Sequence, residues 1–168
     1  MICYTIGHSD RNFTEFIKII KSLNIDCIMD IRSDSLILKP ELCQYFKHNL
    51  KLRLNMEGIN WIDINEIIEE KKNIEFLLES EKYNEGINMI VDGIKRKHKI
   101  GILSFEKDPS ICLRGLLLGR SLSEQGIHIM HIIDSNKYVS QSYIDDRIYE
   151  EYKKTNIKSN KFRYEGIV

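Results

Sequence analysis

Three polar clusters hold the residues of this chain best suited to chemistry. They are Thr5-Ile6-Gly7-His8-Ser9, Asp30-Ile31-Arg32, and the run from Ser104 through Glu106, Lys107 and Asp108 to Cys112 and Arg114. In the first, Gly7 permits a sharp turn. His8 is a candidate general acid or base near neutral pH, and Ser9 a candidate donor to an anion. In the second, Asp30 and Arg32 lie two apart, so in a strand they share a face. Two outcomes are open there: an internal ion pair, or Arg32 presenting its planar fork to a carboxylate or phosphate while Asp30 orients it.

The third cluster is the richest. Glu106 and the turn Lys107-Asp108-Pro109-Ser110 lead to Cys112 and Arg114 at the start of an expected helix. Free N–H groups and the helix dipole would lower the Cys112 thiol pKa there, and Arg114 would add to that effect or hold an anion. Cys112 is then a nucleophile, part of an anion cradle, or both. The competing reading makes Cys112 a small buried hydrophobe and pairs Arg114 with Glu106. The spacing is not the C-x5-R of cysteine phosphatases, and the loop is too poor in glycine for a Walker-type phosphate loop. His128 and His131 fall on a strand with opposite orientation, and a strand histidine such as His131 is more often structural than catalytic. Gly115 and Gly119 form a GxxxG that predicts close packing of their helix on the sheet. No ligand spacing calls for a metal, even with His8, His128, His131 and Glu106 taken together, and no cofactor is implied.

Each cluster follows an apolar stretch that reads as a strand: Cys3–Ile6, Ile25–Ile31, Ile59–Ile64, Lys99–Phe105 and Ile127–Ile133. Helices are predicted between them. The first has Asn12 as N-cap and an apolar face of Phe13, Phe16, Ile17, Ile20 and Leu23. The second runs from about Pro40 to Met56, with Gly58 as its stop. The third carries Ile87, Ile90, Val91 and Ile94, and the fourth runs from Ser110 or Ile111 to Gln125. The last begins at Ser140 and runs to about Lys154, with a polar, frayed tail from Thr155. Helical pieces around Ile67, Ile68, Phe76, Leu77 and Leu78 complete the reading.

Strands alternating with helices predict an α/β fold over residues 1–168. The expectation is a single three-layer domain with a mainly parallel sheet of about five strands and helices on both faces. Strand carboxyl ends then share one edge, where ligands of such sheets bind, so the three clusters converge on one candidate site.

Composition narrows the partners. Of 168 residues, 25 are Lys or Arg and 25 are Asp or Glu, so zero net charge argues against a dedicated or sequence-specific DNA binder. An apolar content of 42% suits globular folding. No apolar run is long enough to cross a membrane, and the first residues read as a strand rather than a signal peptide. A cytoplasmic location is expected, with Cys3, Cys27, Cys43 and Cys112 as reduced thiols. Exposed Tyr143, Tyr149 and Tyr152 on the last helix offer a homodimer face.

The clusters, in this order, resemble the bacterial and archaeal domain of unknown function 488 family. That family typically carries TIGHS, then DVR, then C-A/S-E-x-D-P-x-x-C-H-R before a helix. The matching residues are Thr5 to Ser9, Asp30 to Arg32 and Ser104 to Arg114, with His131-Ile132 similar to a later HI element. Ser104 stands in place of the family's first cysteine and Leu113 in place of the histidine. Ser33 to Leu38 replaces a segment with a proline and a serine–arginine pair. The resemblance implies the fold and the place of the site more than a reaction.

Three function classes follow. The first is an enzyme on a nucleotide, nucleic-acid end or other anionic substrate. In it His8, Glu106 and Cys112 do the chemistry, and Gly7, Ser9, Asp30, Arg32, Lys107 and Arg114 form the binding shell. The second is a non-catalytic nucleotide- or anion-binding domain, and the third is an interaction protein whose edge cluster is structural.

Overall fold

The structure, a computed structural model, describes residues 1–33, 40–65, 78 and 80–164. One six-stranded sheet organises them, in the order β3-β2-β4-β1-β5-β6. The strands are β1 (Ile2–Gly7), β2 (Cys27–Asp30), β3 (Asn60–Asp63), β4 (Ile100–Ser104), β5 (His128–Asp134) and β6 (Lys137–Ser140). The first five are parallel, and β6 returns antiparallel along β5.

Two apolar layers cover the sheet, as alternate strand residues point to opposite faces. On one face Ile6, Ile28, Leu103 and Ile132 pack with α1 (Phe13–Ser22) and α2 (Lys47–Met56). On the other, Cys3, Met29, Ile102 and Ile129 pack with α3 (Glu81–Lys95), a π-turn (Arg114–Leu118) and α4 (Gly119–Glu124). Helix α5 (Gln141–Tyr164) runs on as backbone helix beyond Thr155, where a frayed tail was expected. The α/β class and three-layer arrangement are those read from the alternation of periods.

Three elements differ from the sequence reading. A sixth strand forms because Ser135-Asn136 closes a two-residue hairpin that pairs Lys137 with Asp134. The helix expected from Pro40 is broken: a 3-10 segment (Pro40–Tyr45) gives way at extended Phe46 before α2 starts. The helix expected from Ser110 or Ile111 is also interrupted, by a 3-10 turn (Pro109–Ile111) and an extended Cys112. The expected helical residues Ile67, Ile68, Phe76 and Leu77, and the segment Asp34 to Leu38, lie outside the described residues.

Candidate functional site at the strand carboxyl edge

Strands β4 and β1 are neighbours, yet their following segments leave to opposite faces of the sheet. After β1 the chain enters α1 on one face; after β4 it enters the π-turn and α4 on the other. Such a divergence opens the crevice where α/β sheets bind ligands. Here the two strand ends are stitched together: the His8 and Ser9 N–H groups donate to the Ser104 and Phe105 carbonyls at 3.1 and 2.8 Å. Gly7 serves this close approach rather than the turn, and it is Ser9 that takes a positive φ, +45°. A Cβ on Gly7 would lie 1.7 Å from the Glu106 carbonyl oxygen and 2.8 Å from an Arg114 guanidinium nitrogen. Two of the three sequence clusters therefore touch.

The second cluster closes on itself. Arg32 donates through Nε and Nη2 to the two Asp30 oxygens at 2.8 and 2.6 Å, and through Nη1 to the Tyr45 carbonyl at 2.8 Å. Asp30 also accepts from the Arg32 backbone N–H and the Trp61 indole. Both side chains are buried, so the ion-pair outcome is the one realised.

Arg114 is wholly buried with no ion pair among the described residues. It donates to the Ser104 hydroxyl at 2.8 Å and the Lys107 carbonyl at 2.7 Å, while its Nε–H has no partner. It does not pair with Glu106. Burial draws its pKa below the ordinary arginine value. Arg11, which sequence reasoning did not single out, is the third buried guanidinium. It holds Glu15 at 2.8 Å and the Ile133 carbonyl at 3.1 Å, and its Nε is likewise unpartnered. Its only local signal was Glu15 four residues on, the spacing of a helical ion pair.

The expected acid–base and thiol groups are shut away. His8 is buried, stacked on Tyr45 at 4.3 Å, and donates from Nδ1 to the Ser9 carbonyl at 2.9 Å. Its Nε2 and the Tyr45 hydroxyl are both buried without partners. Burial, reinforced by Arg32, pushes the His8 pKa down to about 3, so the ring is neutral. Cys112 was expected to have a lowered pKa. Burial instead pushes its thiol up to about 11, against the opposing pull of Arg114. The physical reason is desolvation: Cys112 does open the helical turn, its carbonyl accepting from the Leu116 N–H at 2.9 Å, but its side chain is buried there. Glu106 remains partly exposed.

His131 belongs to a complete hydrogen-bonded chain. Gln141 donates its amide to the Gly115 carbonyl at 2.8 Å and to Asp145 at 3.0 Å, so its oxygen faces His131 Nε2 at 2.8 Å. Nε2 therefore donates, and Nδ1 accepts from the Thr5 hydroxyl at 2.7 Å. Burial holds the His131 pKa down to about 4. The GxxxG glycines serve this packing: Cβ atoms there would meet the Pro109 carbonyl (Gly115) and the Gln141 side chain (Gly119), not the sheet.

Among the described residues, the edge is open beside the third cluster. A cleft of about 280 Å³ lies between the β4 exit loop, β6 and α5. Its floor is Ile133, Val139 and Ile144; Lys107, Lys137 and Arg147 supply positive charge, with Asp108 opposite. Arg147 is held by Asp108 and donates to the Ser110 hydroxyl at 2.8 Å. Partial burial acts to raise the Asp108 pKa, but hydrogen bonds from Arg147 and Ser110 keep it below the usual carboxylate value. Lys107 sits 3.8 Å from Asp134. Lys137 has no ion pair among the described residues. Lys137 escaped the sequence reading because β6 itself did; Arg147 lies on the expected last helix and escaped because its partners Asp108 and Ser110 are 39 and 37 positions away.

Among the described residues, no three His, Cys, Asp or Glu side chains gather as a metal-binding group. The four cysteines are free thiols. No described helix is long and apolar enough to cross a membrane. No family model matches the chain, and no curated protein matches it.

Proposed function

We propose that this protein binds a small anion at the carboxyl edge of its sheet, as a binding domain rather than a thiol or acid–base catalyst. A charge imbalance carries the reading. Among the described residues, three guanidiniums (Arg11, Arg32 and Arg114) are buried at this edge against a single buried carboxylate, Asp30. Asp30 is committed to Arg32, and Arg11 pairs with Glu15 at 2.8 Å and Asp134 at 3.7 Å, so Arg114 is the buried guanidinium left without an ion pair among the described residues. A buried charge requires a partner, and an anion entering beside Lys107 supplies one.

Catalysis is the weaker reading. Its best support is the unpartnered His8 Nε2, a buried lone pair beside the Arg32 charge. A general base works best with a pKa near the working pH, and about 3 is too low. A thiol at about 11 is also a poor nucleophile near neutrality. The resemblance to the domain of unknown function 488 family joins this reading, since its first and third segments are those that meet at the edge.

Titration of the full chain with inorganic phosphate, followed by heteronuclear NMR, tests the proposal. Expected are saturable shifts at His8, Lys107 and Arg114, with affinity falling at least tenfold in both Lys107→Gln and Arg114→Lys. Wild-type affinity in both variants, or shifts elsewhere only, would refute it.

A further inference from the structure

We infer that the cleft between β6 and α5 takes an organic anion with a compact apolar body, such as a phosphate monoester of a small aromatic alcohol. This deepens, and rests on, the reading of the edge as an anion site. The lining divides by chemistry. Ile133, Val139 and the fully buried Ile144 form an aliphatic floor, and the Tyr143 ring, 55% exposed, stands beside it. An inorganic ion would leave that surface against water. A ligand with an apolar body covers it, as in most small-molecule sites.

The polar side sets the charge of the head group. Of the three cations that line the cleft, Arg147 is paired with Asp108 and Glu151 and Lys107 lies 3.8 Å from Asp134, so Lys137, with no ion pair among the described residues, is the charge that favours an anion. The Arg147 guanidinium is already committed to Asp108, Ser110 and Glu151, so it contributes charge without a free fork. Recognition of the head therefore falls to the Lys137 ammonium, with Lys107, held only at 3.8 Å from the exposed Asp134, beside it. An ammonium binds phosphate as a point charge, with little directional demand. Selectivity consequently resides in the apolar body rather than in the head.

Size gives a second bound. At about 280 Å³ the cleft equals roughly nine liquid-water volumes, near the lower end of ligand pockets, so it fits a molecule of about ten non-hydrogen atoms. A mononucleotide would extend beyond it. The head would sit one residue from Arg114, whose guanidinium donates to the Lys107 carbonyl.

Calorimetric titration of the full chain at constant ionic strength compares phenyl phosphate, inorganic phosphate and phenol. Phenyl phosphate is expected to bind at least tenfold more tightly than either fragment. Tyr143→Ala should lower its affinity several-fold while leaving inorganic phosphate unchanged. Lys137→Glu should weaken both phosphates by about tenfold. Both residues are exposed, and circular dichroism establishes that the variants fold. If inorganic phosphate binds but phenyl phosphate gains nothing, or if its gain survives Tyr143→Ala, the ligand class is wrong and the anion edge stands. If neither phosphate binds folded wild-type protein, both readings fall.

Discussion

Replacing Asp30 by Asn should destabilise the protein by about 3–5 kcal/mol, the usual cost of breaking a buried ion pair from one side. The carboxylate accepts four hydrogen bonds, from Arg32 Nε, Arg32 Nη2, the Arg32 backbone and the Trp61 indole. An amide oxygen can keep some of these, but the buried Arg32 loses its counter-charge. The Tyr45 carbonyl, its other acceptor, is neutral. For a chain of this length each kcal/mol moves the melting point by about 2–4 °C, so a fall of about 6–20 °C is expected. Urea denaturation at pH 7 measures the loss. The double variant Asp30→Asn with Arg32→Met removes the stranded cation and should recover at least about 1 kcal/mol relative to additivity. A single-variant loss below about 1 kcal/mol, or strictly additive effects, would refute the claim that this pair is a closed structural unit.

Other outcomes follow from the same geometry. Gly7→Ala should cost more than Gly58→Ala in thermal denaturation. The first Cβ meets the Glu106 carbonyl at 1.7 Å, whereas Gly58 faces open space at φ +73°, a penalty of about 1 kcal/mol. Equal losses would contradict the close approach of β1 to the β4 exit loop. In the native protein at pH 7.5, iodoacetamide should label exposed Cys43 and spare Cys112, read by peptide mass spectrometry; rapid labelling of Cys112 would revive the nucleophile. Acid should destabilise the fold through His8 and His131. The unfolded chain takes up these protons near pH 6.5, the folded chain only near about 3 and about 4. Their stabilisation is thus complete above pH 6.5 and is lost as pH falls toward those values, by up to about 1.4 kcal/mol per pH unit for each ring. Stability that stays flat between pH 6.5 and 4.5 would show that the rings are not held neutral.

Much of the architecture was legible because its signals are local. Phe13, Phe16, Ile17 and Ile20 mark one face of α1 by spacing alone, and Asn12 does cap it, accepting from the Thr14 N–H at 2.8 Å. The apolar runs around β1, β2, β4 and β5 are strands since no other element buries both faces so briefly. Legibility failed where a distant contact decides. Lys137 to Ser140 is a strand only because β5 lies alongside it. Cys112 and the π-turn take their shape from the tight seating of Gly115 on Pro109 and Gly119 on Gln141.

The chain's own order of periods determined the α/β class and carried the three polar clusters to strand ends, since both are consequences of short-range pattern and parallel topology. Solvent access and pairing belong to the tertiary structure. Asp30 lies near Arg32 in any conformation, yet only packing under Trp61 and Tyr45 makes theirs a buried pair. Cys112 and His8 have reactive side chains in any sequence, yet desolvation by the assembled edge removes that reactivity. The open cleft exists because β6 and α5, late in the chain, fold back beside Lys107. No local spacing encodes that return, for it depends on contacts between residues some 30 to 40 positions apart, such as Arg147 with Asp108.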